Sequence, residues 1–586
     1  MRNRGPDSQD YRQFQLGDVS LVFLHARLSI IDLDSRANQP MTRDSCAVVF
    51  NGEIYNYCEL RKSLTPTMEF LTESDTEVLL CAYLKYGEDC LRHFEGMWAF
   101  ALYDARLGKL FLSRDRFGEK PLLYWETSHG IYFASEINII RSLAGSLPTV
   151  NIKHLQRLLV NGYKSLYKTR DTFFNDVKEL PAASFVSIDA SLNISEQRYW
   201  HPHYQTTPMT LADAVAGTRE RLISALSLRL RSDVPVAFCL SGGVDSSGLA
   251  SIAAKELGYE VAAFSIIDHD PRYDESENIK TTVADLNCKS TQITLSFDGM
   301  LDRMRRLISY RGAPVYTISY LIHSMLSEQI AAQGYRVVLS GTGADELFTG
   351  YFDHFNFALS EMRQHREYSK QLSAWREHIE PIVRNPFLKN PEMFISSPNF
   401  RDHIYLDRNL YSDLLCEPFD EKFTETTYVP SPLRNRMLNE LFHESVPAIL
   451  HEDDLNSMQC SIENRSPFLD SNLFEFAYSI PTEFLIHDGY GKFILREALN
   501  GILNDQNRLD RHKRGFNASI ASILDLHDQS TIEFLLSDSI LFELVEHHSF
   551  KDFLMQLQAL DQIDNSHSKF LFSFLSTKCF IEEYGI

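Results

Sequence analysis

The apolar run Val236–Leu240 passes straight into Ser241-Gly242-Gly243-Val244-Asp245-Ser246-Ser247, and helical spacing follows over Gly248–Leu257. A strand that ends in a glycine turn and enters a helix places that turn at the carboxyl edge of a sheet, where open α/β sheets hold ligands. Gly242 and Gly243 let the backbone approach a phosphate with no Cβ in the way. Ser241, Ser246 and Ser247 add hydroxyl donors. The following helix aims its free N–H groups and positive dipole end at the same place. Asp245 would repel a bare anion but suits a phosphate-bound Mg2+. No GxxxxGK[ST] loop occurs in the chain, which disfavours γ-phosphoryl transfer. The bland alternative is a Ser/Gly corner without a ligand.

The flanking pattern extends this unit. A helix over Leu211–Arg231 precedes it, and Val261–Ile267, a helix near Glu275–Leu286, Thr291–Leu295 and Val337–Leu339 follow. Strands alternating with helices predict an α/β doubly wound parallel sheet. Val337–Leu339 runs into Ser340-Gly341-Thr342-Gly343-Ala344-Asp345, a second glycine turn carrying an acid. Asp245 and Asp345 at adjacent strand ends could share one Mg2+. From about Asp353 onward the pattern is mostly helical.

The first 200 residues have a different texture. Short runs rich in β-branched and aromatic residues (Val19–Leu24, Cys46–Phe50, Met97–Tyr103, Lys109–Ser113, Ile131–Ala134) read as strands, and Asp75–Tyr86 has helical spacing. This predicts an α+β arrangement of stacked sheets with helices. His201–Thr210 has no periodicity and is the expected linker. The organisation is therefore 1–200, a linker at 201–210, and 211–586.

Composition narrows the partners. Lys plus Arg is 57 and Asp plus Glu is 79, a net charge of −22. A surface this acidic repels phosphate backbones and anionic membranes, so neither nucleic acid nor membrane is expected. The nine cysteines form no CxxC pair and no zinc spacing, and read as free thiols of a reducing cytosol. No apolar stretch of about 18 residues exists, and the N-terminus lacks the apolar core of a signal peptide. A cytoplasmic protein handling small molecules is expected, with a homodimer left open.

Five long motifs in order give the synthetic half a family. They are LSGGVDSS, the acidic YDES at Tyr273–Ser276, LSGTGADELFTGY, EDDLNSMQCSIENRSPFLD at Glu452–Asp470 and GKFILREAL at Gly491–Leu499. With them the chain resembles glutamine-dependent asparagine synthetases over nearly its whole length. The resemblance implies an N-terminal Ntn-hydrolase sandwich, two sheets between helices, followed by an ATP-pyrophosphatase synthetase domain. It implies ATP and Mg2+, adenylation of the aspartate side chain, and displacement of AMP by ammonia. It further implies that Leu240, Ser241, Ile266, Ser340 and Gly341 line the ATP site, that Asp245 and Asp345 serve Mg2+ and pyrophosphate, and that Lys492 stands near the α-phosphate. Glu463 and Arg465 in IENRSP are expected to help orient this site. Thr342 departs from the Glu that bacterial members often carry at this turn and cannot place a charge there. Three functions stay open: aspartate amidation, amidation of another carboxylate such as a uronic acid of surface polysaccharide, and non-catalytic nucleotide binding.

The first third resembles the family's glutaminase domain through RGPD (Arg4–Asp7), HARLSIIDL (His25–Leu33), FNGEIYNY (Phe50–Tyr57), SDTEVLL (Ser74–Leu80) and RDRFGEKPLLY (Arg114–Tyr124). By resemblance Arg27 holds glutamine's α-carboxylate and Asp75 its α-ammonium, Asn51 and Gly52 supply the oxyanion hole, and Glu53 helps hold the substrate. The family's nucleophile, a cysteine after the initiator Met, has no counterpart: position 2 is Arg and the first cysteine is Cys46. A start assigned too late, or a recent loss, is the favoured explanation. The chain as it stands is expected to lack glutaminase activity, to take free ammonia, and to expose an unpaired strand edge.

Overall fold

The computed structural model describes residues 1–267, 274–295, 298–512, 520–560 and 563–585. Tyr273 of the YDES segment lies outside the described residues.

The N-terminal part is built from β1 (Ser8–Leu16), β2 (Val19–Arg27), β3 (Met41–Arg43), β4 (Cys46–Ile54), β5 (Gly96–Asp104), β6 (Lys109–Arg114), β7 (Leu123–Thr127), β8 (Gly130–Ala134), β9 (Val177–Glu179), β10 (Ser184–Asp189) and β11 (Ile194–Arg198). An antiparallel sheet in the order β11-β10-β6-β5-β4-β3 forms its centre. β5 is buried along its whole length because both faces of this sheet are covered. On one face the helices Tyr57–Leu64 and Asp75–Tyr86 pack Leu60, Val78, Leu79 and Ala82 against Val48, Phe50, Trp98 and Phe100. On the other, the β1–β2 ribbon packs Leu16, Leu21 and Phe23 against Ala99, Ala101 and Leu112. This is the expected α+β sandwich. The ribbon has only two strands, and its outer face leaves Tyr11, Val22 and Leu24 exposed.

Residues 201–210 have no regular structure, but they are not loose: Tyr204 packs edge-on against Phe474 and Tyr478. Thr210 then caps the helix Leu211–Arg229 through a capping box with Asp213.

The second part centres on β12 (Val236–Cys239), β13 (Ala262–Ile267), β14 (Lys289–Thr294), β15 (Val337–Leu339) and β16 (Glu463–Arg465), in the order β14-β13-β12-β15-β16 and parallel throughout. From β12 the chain winds outward through β13 and β14, then returns to lay β15 on the other side of β12. The β12/β15 pair is thus the topological switch point, where the crevice of such a sheet opens. Both glycine turns leave the sheet there. The helix after β12 begins at Val244, four residues before its apolar periodicity starts at Gly248. Val244–Ser247 are therefore its first turn, where an acid such as Asp245 is favoured by the helix dipole. Helices dominate after β15 and end in Asn565–Tyr584. Among the described residues no helix is long and apolar enough to cross a membrane.

Candidate active site

The two turns meet. Ser241 and Ser246 place their hydroxyls 2.9 Å apart, the Gly243 amide donates to Ser241 Oγ at 3.2 Å, and the Ser247 hydroxyl donates to the Ser241 carbonyl at 3.2 Å. A Cβ on Gly242 would lie 2.8 Å from the Cβ atoms of both Asn278 and Glu275, so only glycine fits. Gly242, Gly243 and Ser247 shape this corner. Leu240, Ser241, Asp245 and Ser246 line a cavity of about 550 Å³, together with Ile266, Ser340, Gly341, Thr342 and Asp345. A Cβ on Gly341 would come within 3.1 Å of the Asp245 Cβ, so the second turn rests on the first.

Lys492 joins them. Its Nζ lies 2.5 Å from Asp245 Oδ2 and 2.6 Å from Asp345 Oδ1. Burial works against the charge, but Asp245 and Asp345 outweigh it and hold the ammonium above the ordinary lysine value. Lys492 sits at φ +55°, an unusual backbone for a residue with a Cβ, at the start of the helix Phe493–Ala498. Gly350 makes room for the pair: a Cβ there would fall 1.5 Å from Asp345 Oδ1 and 2.6 Å from Lys492 Cε.

Thr342, uncharged at the turn, donates its hydroxyl to Asp453 Oδ2 at 3.4 Å. Burial pushes the Asp453 carboxyl up to about 7, and the neighbouring Glu452 and Asp454 add to the rise. A titratable carboxyl thus stands beside Thr342, supplied by the helix Ser445–Gln459. Sequence reasoning singled out neither Asp453 nor Gly350, although both lie inside the quoted motifs.

Glu463 is not brought to this cavity. In β16 alternate side chains face opposite ways. Asn464 turns to the nucleotide side and donates to Ser340 Oγ at 3.2 Å, whereas Glu463 lines a separate cavity in the N-terminal part. Arg465 Nε donates to Glu463 at 2.8 Å, and its buried guanidinium also bonds the Arg229 and Arg231 carbonyls. The two side chains brace the junction between the two parts, while the Arg465 carbonyl accepts from the Ser340 amide at 3.0 Å.

That second cavity, about 600 Å³, is lined by Arg27, Asn51, Gly52, Glu53 and Asp75, the five residues expected for glutamine. Arg27 spends its guanidinium on the carbonyls of Ile31, Asp32 and Asp34 and on Asn38 Oδ1. Asn51 Nδ2 donates to Ser135 Oγ at 3.2 Å, and Gly52 has φ +136°, with the Met97 carbonyl where a Cβ would be. Burial, then Asp75 and Glu463, hold the Glu53 carboxyl well above its usual range, and burial pushes Asp75 up to about 6. None of the nine cysteines lines this cavity. Cys46 is buried at the start of β4 with its thiol pushed up to about 11, chiefly by burial.

Among the described residues the tightest set of metal-ligating side chains is elsewhere, at Asp353, His354 and Glu440. The Arg436 guanidinium already fills it, 3.2 Å from Glu440 and 3.6 Å from Asp353.

The asparagine synthase family model matches residues 217–580, and a glutamine amidotransferase domain model matches residues 1–200. The chain belongs to the asparagine synthase family. It is 28% identical over 588 residues to asparagine synthetase (glutamine-hydrolysing) 1 of Bacillus subtilis, covering 96% of this chain and 89% of that one. It is 29% identical over 538 residues to asparagine synthetase 3 of the same organism, covering 86% and 81%. It is 27% identical over 559 residues to the amidase chyE of Penicillium rubens, covering 86% and 81%.

Proposed function

We propose that the chain is an ATP-dependent amide ligase that adenylates the side-chain carboxylate of aspartate and lets ammonia displace AMP, releasing asparagine, AMP and pyrophosphate. The observation that carries this reading is the Lys492 ammonium held between Asp245 and Asp345 where the two turns meet. A carboxylate resists amine attack because oxide would have to leave; from the acyl adenylate, AMP leaves instead. Splitting ATP between its α and β phosphates builds charge on the departing pyrophosphate, and preorganised positive charge lowers that barrier. Lys492 supplies it. Ser241, Ser246 and Ser340 offer hydroxyls to the phosphates, and Leu240 and Ile266 offer apolar contact to the nucleoside. Asp245 and Asp345 would also hold Mg2+, since two carboxylates converging on one positive charge suit a hard cation. Bound there, the ion would neutralise charge on the pyrophosphate.

The glutamine-type cavity supports an amide nitrogen donor. Glutamine's α-ammonium would restore full charge to the Glu53–Asp75 pair, and the Gly52 turn suits an oxyanion hole. With no thiol in that cavity, the polypeptide of this sequence takes its nitrogen from ammonia. ATP–pyrophosphate exchange is expected with aspartate, and asparagine is expected with ammonium salts but not with glutamine. Exchange with no acid would overturn the ligase; turnover of glutamine by this polypeptide would overturn the nitrogen source.

One observation favours a different acceptor. Thr342 places no charge at the turn, and a relative similar over most of this chain bears the name amidase, not asparagine synthetase. Exchange with a uronic acid but not with aspartate would select amidation of a sugar acid, as in surface polysaccharide synthesis.

A further inference from the structure

The nucleotide cavity has lining residues that do not belong to the ATP turns. The helix Asn565–Tyr584 presents Asn565, Ser568, Lys569 and Phe572 to it. Their spacing of three, four and seven residues puts them on one face, so the first two turns of this helix are a wall of the cavity. The rest of the helix is fixed by a deep apolar core that includes Phe570, Phe574 and Phe580.

Lys569 is the unusual member of that wall. Among the described residues it makes no hydrogen bond and no ion pair, in a chain with 79 acidic and 57 basic side chains. A lysine in such an excess of acid ordinarily finds a carboxylate. A second cation stands near instead: burial and the charge of Lys164 push the Lys569 amine down to about 8. Lys164 itself lies over the ring of Tyr351, which also lines the cavity. The side chain of Lys569 remains accessible to solvent although protein crowds it. Asp453 lines the same cavity, and burial raises its carboxyl.

We propose that this wall of the cavity binds a second anionic group of the acceptor, so that the substrate is a dianion. One carboxylate is activated at the Ser340–Asp345 turn and a further oxyanion, carboxylate or phosphate, pairs with Lys569. The helix Asn565–Tyr584 then sets acceptor specificity. This rests on the ligase reading above.

The test compares four acceptors in ATP–pyrophosphate exchange: aspartate against isoasparagine, which lacks its α-carboxylate, and glucuronic acid 1-phosphate against glucuronic acid. The effective acid is expected to be the dianion of a pair. Lys569→Gln should raise its KM about tenfold or more, as expected for a lost charge-assisted contact, with KM for ATP unchanged, and Lys569→Arg should restore binding. Equal use of the single-anion partner, or an unchanged acceptor KM in Lys569→Gln, would overturn the inference. So would equal changes in the KM for ATP and for the acceptor. If no acid supports exchange, the ligase reading fails on its own. Calorimetric titration of the same four compounds then decides: dianion binding that Lys569→Gln abolishes supports the site, and no dianion binding overturns it.

Discussion

Lys492 Nζ lies 2.5 Å from Asp245 Oδ2 across 247 residues of chain, and the contact closes one glycine turn of the sheet against a helix start. The same ammonium reaches Asp345 at the other turn. Removing it takes away the positive charge that the two carboxylates share. Lys492→Gln is expected to lower ATP–pyrophosphate exchange about a hundredfold or more, the usual scale for one preorganised charge at a reacting phosphate. Lys492→Arg keeps the charge but not the point geometry and should recover only part of it. Steady-state exchange rates at saturating ATP check both.

Gly350 offers an independent handle on the same pair. A methyl group there would overlap Asp345 Oδ1 and crowd Lys492 Cε, so the carboxylate must turn away. Gly350→Ala is therefore expected to lower exchange as much as loss of Asp345, while the far-ultraviolet circular dichroism stays that of the parent. Normal exchange in Gly350→Ala would show that the Lys492–Asp345 contact is dispensable.

These contacts mark how far the sequence could be read. Both turns were legible because glycines, hydroxyls and acids sit together at strand ends, so the chemistry is local in the chain. β4 reads only to Phe50 because Asn51 and Gly52 break the apolar run, yet pairing with Ala99 and Trp98 carries the strand on to Ile54. Glu463 was expected near the ATP turns because it lies in a motif of the synthetic half; the two-residue alternation of β16 turns it to the glutamine side. Asp453 and Lys569 enter the cavity from helices distant in sequence. Which face of such a helix meets the cavity depends on tertiary packing, and no local pattern gives it.

Arg4 ties the two parts together. It bonds Asp454 at 2.8 and 3.1 Å and Glu136 at 3.1 Å, all buried. Asp454 is on the same helix as Asp453, so this ion pair also fixes a wall of the nucleotide cavity. Removing one partner of a buried pair leaves a charge without compensation and costs about 3–5 kcal/mol; Lys120, 3.4 Å from Asp454, should hold Arg4→Met to the lower end. Calorimetry is expected to show a lower Tm and the glutaminase-like part melting ahead of the rest. A single unshifted transition would assign the coupling to the Arg465 junction instead.

Asp453 yields a pH dependence of known sign. Its carboxyl is raised to about 7, whereas the unfolded chain titrates it near 3.9. Between those values the folded protein binds a proton that the unfolded chain has already lost, so stability falls as pH rises through the window. Above it the folded state carries the full penalty of an ionised group among Glu452, Asp454 and apolar neighbours, on the order of a few kcal/mol. Asparagine keeps an acceptor for the Thr342 hydroxyl and never ionises. Asp453→Asn should therefore exceed the parent in stability at pH 8, with the difference shrinking toward zero near pH 4. Glu95 and Glu346, also raised to about 7, steepen both proteins alike and cancel from the comparison. Urea unfolding of both at several pH values reads the difference directly, and a gap independent of pH would mean that Asp453 is already ionised throughout.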